Sequence, residues 1–91
     1  MAAKLSAQVT IINQLGLHAR AATKLVQLCQ RYQATVELVQ DDGKTADAGS
    51  VLALLMLASS KGKTLTVTTE GEDAAAALTA VTELINGGFG E

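Results

Sequence analysis

The amino-acid sequence predicts an α+β domain in which one four-stranded sheet carries three helices on a single face. Apolar residues recur with a period of two in some segments and of 3.6 in others, giving the order β-α-β-β-α-β-α. An Asp-Gly pair at 42–43 is typical of a tight hairpin, which makes one pair of strands antiparallel. The 91 residues, 48% of them apolar, can bury one core, so residues 1–91 are expected to form a single two-layer domain.

The first half of the chain supplies three strands and one helix. Residues 5–12 alternate between apolar and polar side chains, which predicts a half-buried strand. From Ala19 to about Tyr32 the apolar residues recur at helical spacing. Residues 34–40 alternate again, and residues 41–43 turn the chain into a short return strand at 44–48.

The second half supplies two helices and the last strand. Ser50 is suited to cap a helix that runs to about Ser60, where a Lys-Gly pair ends it. Residues 64–69 alternate as a strand, and Glu70-Gly71 turns the chain. Asp73 can cap a last helix that ends at the glycines 87–88. The predicted inner face of this helix consists of Ala77, Leu78, Val81, Leu84 and Ile85.

Composition argues against several classes of partner. The net charge of −2 disfavours an electrostatic grip on nucleic acid or an anionic membrane, and two aromatic residues cannot build a base-stacking platform. Cys29 is the only cysteine, so it is predicted to be a small buried apolar residue without a disulfide. No second histidine and no cysteine pair are available to complete a ligand set, so no metal site is predicted, and no cofactor is expected. Because no apolar run approaches about 20 residues and no signal peptide is visible, a cytoplasmic protein is expected.

The single histidine, His18, stands where the first helix begins. A helix start leaves backbone N–H groups without partners and carries partial positive charge, so the N–H groups of Ala19, Arg20 and Ala21 can bind an anion. Arg20 opposes the helix dipole there, and a bound phosphate would remove the conflict. An imidazole is also a competent nucleophile near neutral pH. This pattern favours a phosphate-accepting His18, although a lone histidine at a helix start is ordinarily just a solvated polar residue.

The second helix is apolar on every side, because residues 51–58 are eight consecutive apolar residues. A two-layer domain has no further layer to cover its outer side, so an exposed patch that docks partner proteins is expected. Some of Val51, Leu54, Leu57 and Met56 are expected to form this patch, and Leu17 beside His18 would extend it if the two helix starts lie close together. The alternative is a helix that lies between its neighbours and is mostly buried.

Residues 13–20, with the sequence Asn-Gln-Leu-Gly-Leu-His-Ala-Arg, resemble the active-site signature of HPr, the histidine phosphocarrier of the phosphoenolpyruvate-dependent phosphotransferase system. Residues 50–57 and the following Lys-Gly pair resemble the second-helix signature of the same family, closest to its nitrogen-related (NPr) branch. The resemblance implies an open-faced β-sandwich that takes phosphate from enzyme I onto the δ nitrogen of His18, assisted by Arg20. It implies a monomeric carrier, not an enzyme, that passes the phosphate to an enzyme IIA protein and docks partners on its first two helices.

Two positions depart from the family pattern. Ala21 stands where many members have proline, which restores a backbone N–H in the first helical turn. Gly49 stands where many relatives have lysine, next to Ser50. Ser50 matches the target of a regulatory kinase in some branches, so it is a candidate regulatory phosphorylation site as well as a helix cap.

Two other functions remain open on the residues alone. The chain could be a non-catalytic interaction module that docks through its apolar second helix, with His18 incidental. It could also be a small-ligand regulatory domain, which is disfavoured because no second cluster of polar residues suggests a pocket.

Overall fold

The computed structural model of the protein describes residues 3–57 and 60–91, which form four strands, three helices and a terminal 3₁₀ turn. The elements, in chain order, are β1 (Ala3–Thr10), α1 (Ala19–Cys29), β2 (Ala34–Gln40), β3 (Thr45–Asp47), α2 (Val51–Leu57), β4 (Thr64–Gly71), α3 (Ala74–Asn86) and the 3₁₀ turn (Gly88–Gly90). The predicted order of strands and helices is confirmed. None of the helices in these two ranges is long and apolar enough to cross a membrane.

The four strands form one antiparallel sheet in the spatial order β1-β4-β2-β3. The central strand β4 pairs with β1 through Val9 opposite Leu65, and with β2 through Leu38 opposite Val67. These side chains are buried, whereas Lys4, Ser6 and Gln8 on the other face of β1 are exposed. Because the period of a strand is two, this alternation leaves one face of the sheet to the helices and the other to water. The predicted fold class is therefore confirmed.

The helices and the sheet share one core. Its largest fully buried side chains are Phe89, Ile11, Leu25, Leu38, Leu54, Leu65 and Ile85. Helix α3 contributes Ala77, Val81 and Ile85 as buried residues, while Leu78 and Leu84 at its margins are half-buried. Cys29 is buried as predicted.

Phe89 lies beyond α3, where the sequence predicts only the end of a helix, and yet it is fully buried. Its backbone has a φ of 58°, and the flanking Gly88 and Gly90 also have positive φ values. A Cβ atom at Gly88 would lie 3.4 Å from Ile12 and 3.6 Å from Asn13, so the turn packs directly on the chain that follows β1. The 3₁₀ turn thus returns the end of the chain to the beginning of α1.

Several predicted boundaries differ from the structure. Helix α1 ends at Cys29 instead of about Tyr32, because the next residues form i-to-i−3 turns such as that from Tyr32 N to Cys29 O. Strand β3 is shorter than 44–48. Helix α2 is described as Val51–Leu57, the next two residues lie outside the described ones, and Ser60, the predicted end, is not helical.

Gly71 belongs to β4 and not to a turn, which corrects the predicted turn at Glu70-Gly71. It lies opposite Ala34 of β2, and a Cβ atom there would come within 2.7 Å of Gln33 O and 2.8 Å of the Ala34 Cα. The glycine is needed for close approach of two strands, so the strand continues through it. The chain then turns at residues 72–73.

The two predicted helix caps behave differently. Ser50 caps α2 as predicted, because its Oγ accepts a 3.1 Å hydrogen bond from Ala53 N. Asp73 occupies the N-cap position of α3, but its carboxylate accepts a 2.7 Å hydrogen bond from Gln33 N instead of one from the helix. Asp73 therefore ties the start of α3 to the segment before β2.

Candidate functional site

His18 occupies the N-cap position of α1, as the sequence predicts. Its backbone is extended, with φ −84° and ψ 179°, and its carbonyl oxygen accepts a 2.8 Å hydrogen bond from Ala22 N. Its side chain makes no cap hydrogen bond to the helix. The imidazole is therefore not used in capping the helix and is available for contacts outside it.

The first turn of α1 offers positive charge that nothing within the helix offsets. The N–H groups of Ala19, Arg20 and Ala21 precede the first intrahelical bond and have no acceptor in the helix. The first turn has no acidic residue, and Arg20 is exposed. The side chains of His18 and Arg20 line the same open depression of about 610 Å³. The structure thus brings together the predicted nucleophile and the predicted phosphate-binding groups.

Glu91 contacts the imidazole of His18 across 73 positions of the sequence. Its Oε2 lies 2.7 Å from Nε2 of His18, and the two side chains are 21% and 22% exposed, respectively. Asn13 Nδ2 donates to Glu91 Oε1 at 3.3 Å and to Gly16 O at 2.8 Å. Asn13 thereby connects Glu91 to the tight turn before His18, in which Gly16 has a φ of 63°.

Lys24 fixes the end of the chain from the side of α1. Its Nζ donates a 2.7 Å hydrogen bond to the carbonyl oxygen of Phe89. Lys24 and Glu91 also line the depression beside His18. The depression therefore contains two further charged residues, one of each sign.

The electrostatic balance at Glu91 favours its ionised form. Burial works to raise its pKa, but the hydrogen bonds from Asn13 and His18, with the positive charges of His18 and Lys24, outweigh that effect. The pKa of Glu91 is consequently lower than usual, so its side chain is a carboxylate at neutral pH.

Lys24 and Glu91 are site residues outside the two sequence signatures, and Asn13 lies within the first signature without a predicted role. The contacts of Asn13 and His18 with Glu91, and of Lys24 with Phe89, join distant parts of the chain, and local periodicity carries no information on such contacts. The sequence does contain one signal for these contacts. Phe89 is an aromatic residue between two glycines, and such a residue is suited to anchor the segment after α3 in the core.

The predicted docking residues are placed differently from expectation. Leu17, Leu54 and Leu57 are 4%, 0% and 3% exposed and belong to the core, so the prediction that they form a surface patch is wrong. Leu17 follows the positive-φ Gly16, which turns the chain inward, and Leu54 and Leu57 share the core face of α2 at i, i+3 spacing. Val51 is half-buried, and Met56, the remaining member of the predicted set, is exposed as expected.

An apolar surface is nevertheless present on the opposite side of α2. Leu52, Leu55 and Met56 are 68%, 38% and 74% exposed, and we call these three residues the outer face of α2. Ile12 and Leu15, in the loop before α1, are also exposed. Lys61 Nζ donates to Gln14 Oε1 at 3.4 Å, which connects this loop to the segment after α2. Exposed apolar residues therefore lie both on α2 and in the loop that leads to His18.

The chain is similar to known proteins in family, in sequence and in structure. It matches the family model described as "PTS HPr component phosphorylation site" over residues 5–87. Phosphocarrier protein NPr from Shewanella violacea is 52% identical over 88 residues, covering 97% of this chain and 96% of that protein. Phosphocarrier protein HPr from Pseudomonas aeruginosa is 46% identical over 84 residues, covering 92% of this chain and 93% of that protein. The crystal structure of HPr-C-His from Thermoanaerobacter tengcongensis has a TM-score of 0.89 and 31% identity, covering 96% and 97% of the two chains.

Proposed function

The chain belongs to the HPr family of phosphocarrier proteins of the phosphotransferase system, and on that premise we propose that His18 accepts a phosphoryl group from enzyme I and passes it to an enzyme IIA-type protein. The resemblance to the NPr branch that the sequence signatures predict is confirmed as well. The observation that carries the proposal is the position of His18 at the N-terminus of α1, beside Arg20 and over an open depression.

The proposed roles combine this geometry with the family resemblance. The imidazole of His18 is the acceptor, and the resemblance implies that phosphorus becomes attached to its Nδ1. The N–H groups of Ala19, Arg20 and Ala21 and the guanidinium of Arg20 bind the phosphoryl oxygens. Because residue 21 is alanine and not proline, it contributes a backbone donor.

The outer face of α2, together with Ile12 and Leu15, is the proposed docking surface for both partners. Exposed apolar surface of this kind is typical of protein contacts, and the segment after α2 contacts the loop before His18 through Lys61 and Gln14. The protein is proposed to act as a cytoplasmic monomer, with its partners supplying most of the catalysis. It turns over no small molecule by itself and is therefore a carrier and not an enzyme.

Ser50 remains a candidate regulatory site. Its side chain is half-buried and its Oγ is engaged with Ala53 N, at the N-terminus of the helix that carries the docking surface. A phosphoryl group there would place negative charge next to Leu52 and so disfavour an apolar partner.

The test is incubation with enzyme I and phosphoenolpyruvate, followed by intact mass measurement. The wild-type chain should gain one acid-labile phosphoryl group, and His18→Gln should gain none. An equal gain in His18→Gln would contradict the proposal. A chain that binds partners through the outer face of α2, with no gain of phosphate and no effect of His18→Gln, would instead be an interaction module.

A further inference from the structure

Glu91 is in a position to control which nitrogen of His18 carries a hydrogen. Its Oε2 is 2.7 Å from Nε2 of the imidazole. The charged groups that face this pair come from α1 and are Arg20 and Lys24, while the loop before α1 contributes the uncharged amide of Asn13. An ionised carboxylate can only accept hydrogen bonds, so the short contact requires Nε2 to donate. In the neutral ring, Nδ1 then carries the free electron pair.

We propose that Glu91 is a positioning residue that keeps a proton on Nε2 of His18 throughout phosphoryl transfer, so that Nδ1 is always the reacting atom. This inference rests on the proposed function and adds to it a residue outside the two sequence signatures. Asn13 and the 3₁₀ turn support the role, because they hold Glu91 from two sides and thereby limit its freedom to leave the imidazole.

The proton on Nε2 of His18 stays in place during both transfer steps. The electron pair of Nδ1 forms a bond to phosphorus while the bond between phosphorus and the donor breaks, and that electron pair returns to the donor. The proton stays on Nε2, so the phosphorylated ring is a cation that faces the carboxylate of Glu91. During onward transfer the Nδ1–phosphorus bond breaks and its pair returns to Nδ1, releasing a neutral imidazole. A neutral imidazole leaves more readily than an imidazolate anion, so Glu91 keeps the phosphoryl group transferable.

The first experiment measures the ¹⁵N chemical shifts of both ring nitrogens of unphosphorylated, labelled protein above neutral pH. In the wild type, Nδ1 should resonate as a bare nitrogen and Nε2 as a protonated one. In Glu91→Ala the two shifts should converge. In Glu91→Gln they should converge further or exchange, because Asn13 donates to the carbonyl oxygen at Oε1 and leaves the amide nitrogen to face Nε2. Glu72→Gln, an exposed change at the opposite end of α3, is the matched control.

The second experiment follows the phosphorylated form. Wild type and variants are charged with phosphoramidate, a small donor that requires no partner protein, and the hydrolysis rate is measured against pH. Loss of the Glu91 charge should move the alkaline limb of the profile to lower pH by roughly 0.2 to 0.7 unit, the range expected for an exposed ion pair. Urea unfolding of all four proteins is measured in parallel, and each must be fully folded under the assay conditions, so that a change in the profile cannot come from lost structure.

Either of two results would overturn the inference: ring shifts in Glu91→Ala that match those of the wild type, or a wild-type Nδ1 that is protonated. A hydrolysis profile of Glu91→Ala that coincides with that of Glu72→Gln would also contradict it. The shift measurement uses unphosphorylated protein, so it succeeds or fails independently of whether enzyme I charges His18.

Discussion

Lys24 and Phe89 are joined by a 2.7 Å hydrogen bond from Nζ to the carbonyl oxygen, across 65 positions of the sequence. This bond and the burial of the Phe89 ring bring the end of the chain to the beginning of α1, where Glu91 meets His18. The site is therefore made from two segments that lie far apart in the sequence. Its geometry should depend on Phe89 as much as on the signature residues.

Replacing Phe89 by alanine tests this dependence. Phe89→Ala should lower the free energy of unfolding by about 3 to 5 kcal/mol, because it removes a fully buried ring and leaves a cavity. In the protein that remains folded, the ¹⁵N shifts of His18 should resemble those of Glu91→Ala. Urea unfolding and ¹⁵N spectroscopy measure the two effects. Leu15→Ala, at a side chain that is 70% exposed, is the control and should change stability little. A Phe89→Ala protein as stable as this control would contradict the packing described here.

Arg20 is expected to matter for phosphoryl acceptance and not for folding. Arg20→Glu should slow phosphorylation by enzyme I about tenfold to a hundredfold, because a donor to the phosphoryl oxygens becomes a repelling carboxylate. Stability should change by about 0.5 kcal/mol or less and in the favourable direction, since an acidic residue suits the start of a helix. Initial rates and urea unfolding check these two expectations. Arg31→Glu, an exposed change beyond the end of α1, serves as the control. A large loss of stability with normal rates would show that Arg20 has a structural role.

Substitutions on the two sides of α2 should affect different properties: those on the core side should lower stability, and those on the outer face should weaken docking. Leu54→Ala should lower the free energy of unfolding by about 2 to 5 kcal/mol, because Leu54 is fully buried. Leu52→Ala should alter stability by only about 0.5 kcal/mol and yet weaken binding to enzyme I, because Leu52 is 68% exposed on the outer face of α2. Urea unfolding measures the stability of both variants, and titration calorimetry measures their affinity for enzyme I. Unchanged affinity in Leu52→Ala and in Met56→Ala would exclude the outer face as the docking surface.

Cys29 should be unreactive until the protein is strongly alkaline. Burial, with a smaller contribution from the charge of Asp47, raises the pKa of its thiol from 9.0 to about 11. At pH 8 the thiolate population should thus be roughly a hundredfold lower than in the unfolded chain, and alkylation correspondingly slow. Because the unfolded thiol loses its proton first, stability should fall as the pH rises from 9.0 to about 11. Equal alkylation rates in native and urea-unfolded protein at pH 8 would contradict this.

The parts of the fold that depend on local patterns could be predicted from the sequence. Strand β2 has the predicted bounds, Ser50 caps α2, and His18 starts α1, because alternation, cap chemistry and helical spacing all act over a few residues. Which side of α2 faces the core could not be predicted from the sequence, because the helix is apolar on every side. The contact between His18 and Glu91 could not be predicted either, since it depends on the direction in which the turn after α3 returns the chain.

The attachment of phosphorus to Nδ1 of His18 is the central claim, and it can be measured directly. Protein labelled with ¹⁵N, charged by enzyme I and phosphoenolpyruvate, should show a single ³¹P resonance with one-bond coupling to Nδ1 of His18. A ³¹P resonance coupled to Nε2, a phosphoryl group on an oxygen such as that of Ser50, or no resonance at all would contradict the account.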